Sequence, residues 1–287
     1  AVDGVVESNA ASVGTSESTV VGGGFGVGDY CAEGRVGGTA AAEVVWTSDS
    51  GMRGRVAGGV SGTRRVGVSV GVQVGTATGV VSYDGGVVSG VVGMNGPASG
   101  GVSVTVVGSG FGVEDYSGAV RVGGSACGAV EWTSESGVRC YLSGGVMDRG
   151  NGGRHVRVSV GGQFGTVTAG FTYDEPVVDG VAATNSPTSG HSSMTVFGGQ
   201  FGSVDYSASV RVGGSACGGS EWSADSSVRC RVPAGVAGSR RVAVSVMSDV
   251  GTVSGVSSYD ASAVVGVVEA NAASVGTSES PVVGGGF

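Results

Sequence analysis

Residues 110–127 read GFGVEDYSGAVRVGGSAC, and the fold is decided by the fact that this phrase is written three times. It stands at 24–41 as GFGVGDYCAEGRVGGTAA and at 200–217 as QFGSVDYSASVRVGGSAC. Around it, other residues keep fixed columns: Phe25, Phe111 and Phe201; Trp46, Trp132 and Trp222; Tyr83-Asp84, Tyr173-Asp174 and Tyr259-Asp260. Along the Phe column, continued at Phe287, the steps are 86, 90 and 86 residues, and the extra four sit near 148–153, a Gly/Asn/Arg-rich stretch that reads as a lengthened surface loop. A longer period lies above this one. Residues 3–25 match 265–287 at 20 of 23 positions, a shift of 262. The chain is therefore expected to hold three unlike units, 1–84, 85–174 and 175–260, with 261–287 supplying the opening strands of a fourth. It reads as a segment of something longer, so the lack of a visible signal peptide says nothing.

Within each unit, VRVGGSAC, RRVGVSVGV, HVRVSVGGQ and RVAVSVMSD alternate apolar and polar residues with period 2, the pattern of strands with one buried face. Gly, Ser and Asp clusters separate such runs, and units of this length with many short strands predict two-sheet sandwiches. Composition agrees. Gly supplies 61 residues and Val 60, against one Leu (Leu142) and no Ile or Lys. Both abundant residues are poor helix formers, and Val favours strands, so the chain is expected to be all-β. Gly does not recur every third residue, which excludes collagen. No run of 18 apolar residues exists, so no membrane span is expected in this segment. A net charge of −8, with all 15 basic residues Arg and none gathered into a stripe, argues against a nucleic-acid partner. A core made mainly of Val is shallow, and each unit should gain from staples and neighbours.

The order of features resembles the IPT/TIG domain, an immunoglobulin-like sandwich. Unit three carries the fullest match: Pro176-Val177-Val178, then 194–202 (MTVFGGQFG), 210–217 (VRVGGSAC) and 228–233 (VRCRVP). Unit two has the same layout and closes on Phe171-Thr172-Tyr173. Unit one departs, with Ala41 and Gly54 in the two Cys columns. The resemblance implies tandem immunoglobulin-like sandwiches in a rod-like array. The family spans extracellular repeats, DNA-binding modules and accessory domains of enzymes, so it implies fold more securely than function.

Five Cys are present, and four fall into pairs of identical spacing, Cys127 with Cys140 and Cys217 with Cys230. Each pair flanks a Trp and a polar turn, so a hairpin would set the two Cys opposite each other. Both are missing together from unit one. Disulfides are expected, with free buried thiols as the alternative and an oxidising, extracellular or cell-surface location as the corollary. Metal binding needs more ligands, and no His joins either pair. Cys31 has no partner in its own unit. It is either an intermolecular thiol or a capped single one. Asp29, Asp115 and Asp205 each precede the column Tyr in a Gly-rich loop, and Asp84, Asp174 and Asp260 end the units and are weak Ca²⁺ candidates; the alternative for an Asp is the ordinary turn former. Ser186, Pro187, Thr188, Ser280 and Pro281 lie in Ser/Thr-rich stretches with Ser-Pro pairs and are candidate O-glycan sites, or plain solvated loops.

His155 and His191 fall in different columns, no Ser/His/acid set recurs, and the Gly-rich phrases lack the Lys-Ser/Thr of a phosphate loop. No catalytic residue, cofactor or resident metal is expected. The Phe, Trp and Tyr columns are expected to plug the cores; a solvent-facing Trp column would instead point to sugar stacking. The reading that follows is a non-catalytic structural repeat protein whose partner is itself, head to tail, in a fibre, rod or surface appendage. The rivals are an adhesin or receptor-type ectodomain binding through its loops, and an accessory domain of an enzyme.

Overall fold

A computed structural model describes residues 1–60, 62–146, 152–236, 238–268, 276 and 279–285, and no helix occurs among them. The chain opens with nine strands: β1 (Val2–Val6), β2 (Asn9–Ala10), β3 (Glu17–Gly22), β4 (Glu33–Val36), β5 (Thr39–Ala40), β6 (Ala42–Ser48), β7 (Gly51–Arg55), β8 (Arg64–Val70) and β9 (Gln73–Tyr83). They form a four-stranded sheet, β1-β3-β7-β6, and a five-stranded sheet, β2-β9-β8-β4-β5. Pairing is antiparallel except where β2 joins β9 in parallel, Asn9 opposite Ser82 and Ala10 opposite Tyr83. The first strand of the sandwich thus starts in one sheet and finishes in the other. The same order of strands and sheets returns over 87–173 and 177–259. The all-β, tandem immunoglobulin-like architecture is the one expected.

The period-2 runs form strands, but two are shorter than their pattern. The phrase RVGGTA, and VRVGGSA after it, is two strands and a turn: β4 ends at Val36, β5 begins at Thr39, and Gly37 and Gly38 between them have φ of +60° and +104°. A side chain would strain both, which is why the pair interrupts an otherwise continuous apolar alternation. RRVGVSVGV likewise stops at Val70, where the chain turns back into β9.

The cores are built from inward valines together with buried Phe and Tyr side chains. Val36, Val66, Val68 and Val81 pack with Phe25 and Tyr83 in the first sandwich, and Val210, Val242 and Val244 with Phe201 and Tyr259 in the third. Phe111, Phe171 and Tyr173 are buried in the same way. Each fully buried Val or Phe side chain contributes at least about 1.5 kcal/mol, so the core stays modest.

The described residues divide into two compact units. One holds Ala1–Met94, Val102–Ser143 and Arg154–Phe171; the other holds Asn95–Gly101, residues 144–146 and 152–153, and the described chain from Thr172 onward. The lengthened loop expected near 148–153 falls mostly outside the described residues, as does much of 261–287. What is described of that last stretch is a hairpin, Ala263–Val267 with Val282–Gly285. Its register, Val264 opposite Gly284, Gly266 opposite Val283 and Val267 opposite Val282, is that of β1 on β3 shifted by 262, bulge included.

Candidate functional site: the loops at the sandwich ends

The structure joins Cys127 to Cys140 and Cys217 to Cys230, with Cα separations of 5.7 and 5.8 Å. The route differs from the hairpin expectation. Across the hairpin it is Val130 that faces Cys140. Cys127 instead follows the edge strand Ser125–Ala126 of the five-stranded sheet, its N–H still donating to Val120 O at 3.0 Å. Each bridge therefore crosses from one sheet to the other, at the point where the chain changes sheets. In the first sandwich Ala41 and Gly54 take these places, and Gly34 stands where Val120 and Val210 are. Met52, in the column of Val138 and Val228, fills part of the space. A cavity of about 30 Å³ remains, lined by Gly34, Ala41, Val44, Met52 and Gly54 among others.

Cys31 is exposed and unbridged. It has a φ of +55°, in a turn held by Asp29, whose carboxylate accepts the Cys31 N–H at 3.1 Å. Asp115 and Asp205 accept from Ser117 and Ser207 in the same way, so these three carboxylates form turns. Asp84, Asp174 and Asp260 each accept the side-chain amide of Asn9, Asn95 and Asn185 at 2.5 Å, tying the end of each sandwich's last strand to its opening segment. Among the described residues no three of His, Cys, Asp or Glu gather into a metal-sized group. His155 is exposed on its strand, and His191 caps Ser189 O through Nδ1 at 2.9 Å in a turn of another sandwich.

Of the glycan candidates, Ser186 has to be withdrawn. It is 1% exposed, and its hydroxyl accepts from Ser192 Oγ at 2.9 Å, so no glycan reaches it. Pro187 and Pro281 are exposed, and Thr188 and Ser280 half-buried. The three Trp are half-buried, with Trp46 and Trp222 packed on their cores and every indole Nε1 enclosed.

The side chains that the sequence reading missed lie at the sandwich ends. In the first compact unit, Glu135 accepts the Gly110 N–H at 2.7 Å and the hydroxyl of Ser12, a residue of the preceding sandwich, at 3.1 Å. Val60 is 3% exposed, and a Cβ on Gly112 would come within 2.8 Å of it and closer still to the Tyr116 ring. Gly112 has a φ of +90°, so both backbone and packing exclude a side chain there. Gly58 gives way in turn to Val113, whose methyl would lie 2.9 Å from an added Cβ. Burial, then the charge of Glu114, raises the Tyr116 phenol above its ordinary 10.0.

In the second unit the same columns meet. Val146 is 4% exposed and shares a buried cluster with Phe201 and Ala208. The Ala98 N–H donates to Gln200 Oε1 at 2.6 Å, Tyr206 OH to Gly144 O at 3.4 Å, and a Cβ on Gly144 would overlap Ser203. Two departures within the repeat signalled these contacts: Glu135 stands in a column of Asp49 and Asp225, and Gln200 in a column of Gly24 and Gly110. Chemically the ends offer apolar anchors and one or two polar latches apiece, a holding surface rather than a reacting one.

An IPT/TIG domain model matches residues 87–173 and 176–261. No curated protein matches the chain. Among solved structures, the plexin A4 extracellular region is 17% identical with a TM-score of 0.32, covering 81% of this chain and 21% of its own. The surface glycan-binding protein of Prevotella bryantii is 14% identical with a TM-score of 0.42, covering 66% of this chain and 46% of its own. The I9-I11 tandem of titin is 9% identical with a TM-score of 0.29, covering 88% and 96%. This chain spans about a fifth to a third of the plexin structures it matches.

Proposed function

The chain belongs to the IPT/TIG domain family, and from that premise we propose that it is a non-catalytic, extracellular structural protein whose sandwiches follow one another head to tail in a fibre or surface appendage. The observation that carries this reading is the hairpin of Ala263–Val267 and Val282–Gly285. It repeats the register and bulge of β1 on β3, yet its Val264, Val267, Val282 and Val283 are exposed where the first sandwich packs Val2, Val5 and Val20 on a core. Such a hairpin is the beginning of another sandwich, and an apolar edge left open invites pairing. The bridges at Cys127–Cys140 and Cys217–Cys230 favour an oxidising compartment. In that setting Cys31, exposed in its turn, links the chain to a partner, and Pro187, Ser280 and Pro281 carry any O-glycans.

The adhesin reading needs aromatic faces turned to solvent in the loops. The enclosed Nε1 atoms of Trp46, Trp132 and Trp222 favour the structural reading over it. Electron microscopy and intact mass spectrometry of native material test the proposal. Filaments with a repeat of three sandwiches are expected. A compact monomer in which the hairpin of Ala263–Val267 and Val282–Gly285 packs on no further strands, or saturable glycan binding at the sandwich loops, overturns it.

A further inference from the structure

Position 60 of the first sandwich recurs as Val146 and Val236. The first two are 3% and 4% exposed, and the third is 61% exposed. What differs is the company. Val60 has Gly112 and Tyr116 of the following sandwich against it, and Val146 has the cluster around Phe201. At the other end of the repeat, Tyr30, in the column of the half-buried Tyr116 and Tyr206, is 53% exposed. One used face is thus bare on the third sandwich, and its complement is bare on the first.

The bare face is already shaped. Arg240 Nη2 donates to Val236 O at 3.2 Å as Arg64 Nη2 does to Val60 O at 2.8 Å. Tyr259 OH donates to Pro233 O at 2.9 Å as Tyr83 OH does to Ala57 O at 2.9 Å. The loop is therefore held in its docked form before anything docks, which lowers the ordering cost of association.

We infer that the face formed by Thr188, Ala234 and Val236 is the seat of one occupant, a sandwich of the first repeat's sequence that the hairpin of Ala263–Val267 and Val282–Gly285 opens. Val236 enters the space between that sandwich's counterparts of Gly26 and Tyr30, and Thr188 takes the place of Ser12 and Ala98. The seat is not a copy of the other two. Ala234 stands in the column of Gly58 and Gly144, where a Cβ meets the next sandwich, so the facing counterpart of Val27 turns its side chain away. No Glu or Gln latch reaches across, because the first repeat has Asp49 and Gly24 in those columns. This junction accordingly goes without the carboxylate or amide latch of the other two and is the weakest of the three.

This inference rests on the head-to-tail reading, and the experiment separates the two. The full chain is compared with the same chain extended after Phe287 by a copy of residues 26–84, with Cys31→Ser throughout. Val236→Cys is labelled with a maleimide under non-reducing conditions, with Val60→Cys as the buried reference. In the unextended chain the thiol introduced at position 236 is expected to react rapidly and the one at position 60 slowly; extension is expected to slow the reaction at position 236 at least tenfold. Hydrogen exchange over 232–240, which needs no substitution, is expected to slow in parallel. If the extension folds, seen as protection of 263–285, while position 236 remains as reactive and as exchangeable as before, the docking face is wrong and the array reading stands. If the extension does not fold onto the hairpin, both fall.

Discussion

In each sandwich an Asn side chain holds the carboxylate that follows the last strand. Asn95 donates to Asp174 through its amide and accepts from Thr172 Oγ1 at 2.7 Å, and Asn9 and Asn185 repeat the pattern with Ser82 and Ser258. Asn95→Ala is expected to destabilise by about 1–2 kcal/mol, since two side-chain bonds are lost and a carboxylate is left without its amide donor. Urea denaturation followed by Trp fluorescence checks this; no change would mean that solvent satisfies Asp174 equally well. The paired columns of Asn and Asp were both visible in the sequence. Their partnership was not, because they lie 75–79 residues apart and meet only where a strand switches sheets. Tyr83 makes a second residue-scale case. Burial, partly offset by Arg64, raises its pKa above 10.0, and its hydroxyl donates to Ala57 O. A phenol whose pKa is raised on folding contributes stability that is intact below pH 10 and is lost as pH climbs through the folded value. Stability is therefore expected to fall above pH 10. Tyr83→Phe should cost about 1 kcal/mol at neutral pH and flatten the alkaline decline, as read by denaturation midpoints across pH 8–12.

Among elements, the strands of the two sheets were legible from period 2 and from the repeat itself, whereas the crossing between sheets was not. A hairpin was the simplest way to bring Cys127 to Cys140, but the pairing of Val130 with Cys140 shows that the strand after Cys127 begins two residues later and that the bridge spans the sheets. Local alternation records which face of a strand is buried and carries no label for which sheet the strand joins. The first sandwich tests the energetic meaning of that crossing. Ala41 and Gly54 occupy the bridge columns, Gly54 has a φ any residue can adopt, and an added Cβ there meets only Val44 and Ala41 at 3.4 Å or more, with the carbonyl of Ala42 at 3.8 Å. Ala41→Cys with Gly54→Cys is expected to oxidise spontaneously, fill part of the cavity and stabilise the sandwich by about 3 kcal/mol for so short a loop. Thiol titration and the denaturation midpoint at Trp46 give the result; a pair that stays reduced in air would show that the two sheets lie too far apart there.

For the whole molecule, the question is whether three sandwiches of unequal internal strength unfold as three or as one. The second and third each carry a bridge and a buried cysteine, while the first has a cavity in that place and leans on Val60 and Ser12 at its end. One Trp per sandwich makes the question measurable. Proteins keeping only Trp46, Trp132 or Trp222, the other two replaced by Phe, each report their own surroundings. Reducing the bridges removes about 2–5 kcal/mol from a small domain. If the end contacts are only latches, reduction should lower the midpoints at Trp132 and Trp222 and leave that at Trp46 in place. The contacts argue for this outcome. Each end holds one apolar anchor and one or two hydrogen bonds, worth about 1 kcal/mol apiece, against a core cluster of nine buried residues in the first sandwich and fifteen, Val146 among them, in the third. Adding Glu135→Asp, which draws the carboxylate back from Ser12, should then shift Trp46 by about 1 kcal/mol without further effect on Trp222. A common midpoint at all three Trp, moving together on reduction, would instead mean that the ends weld the sandwiches into one cooperative body. An array of that kind would resist tension as a block rather than yield one sandwich at a time.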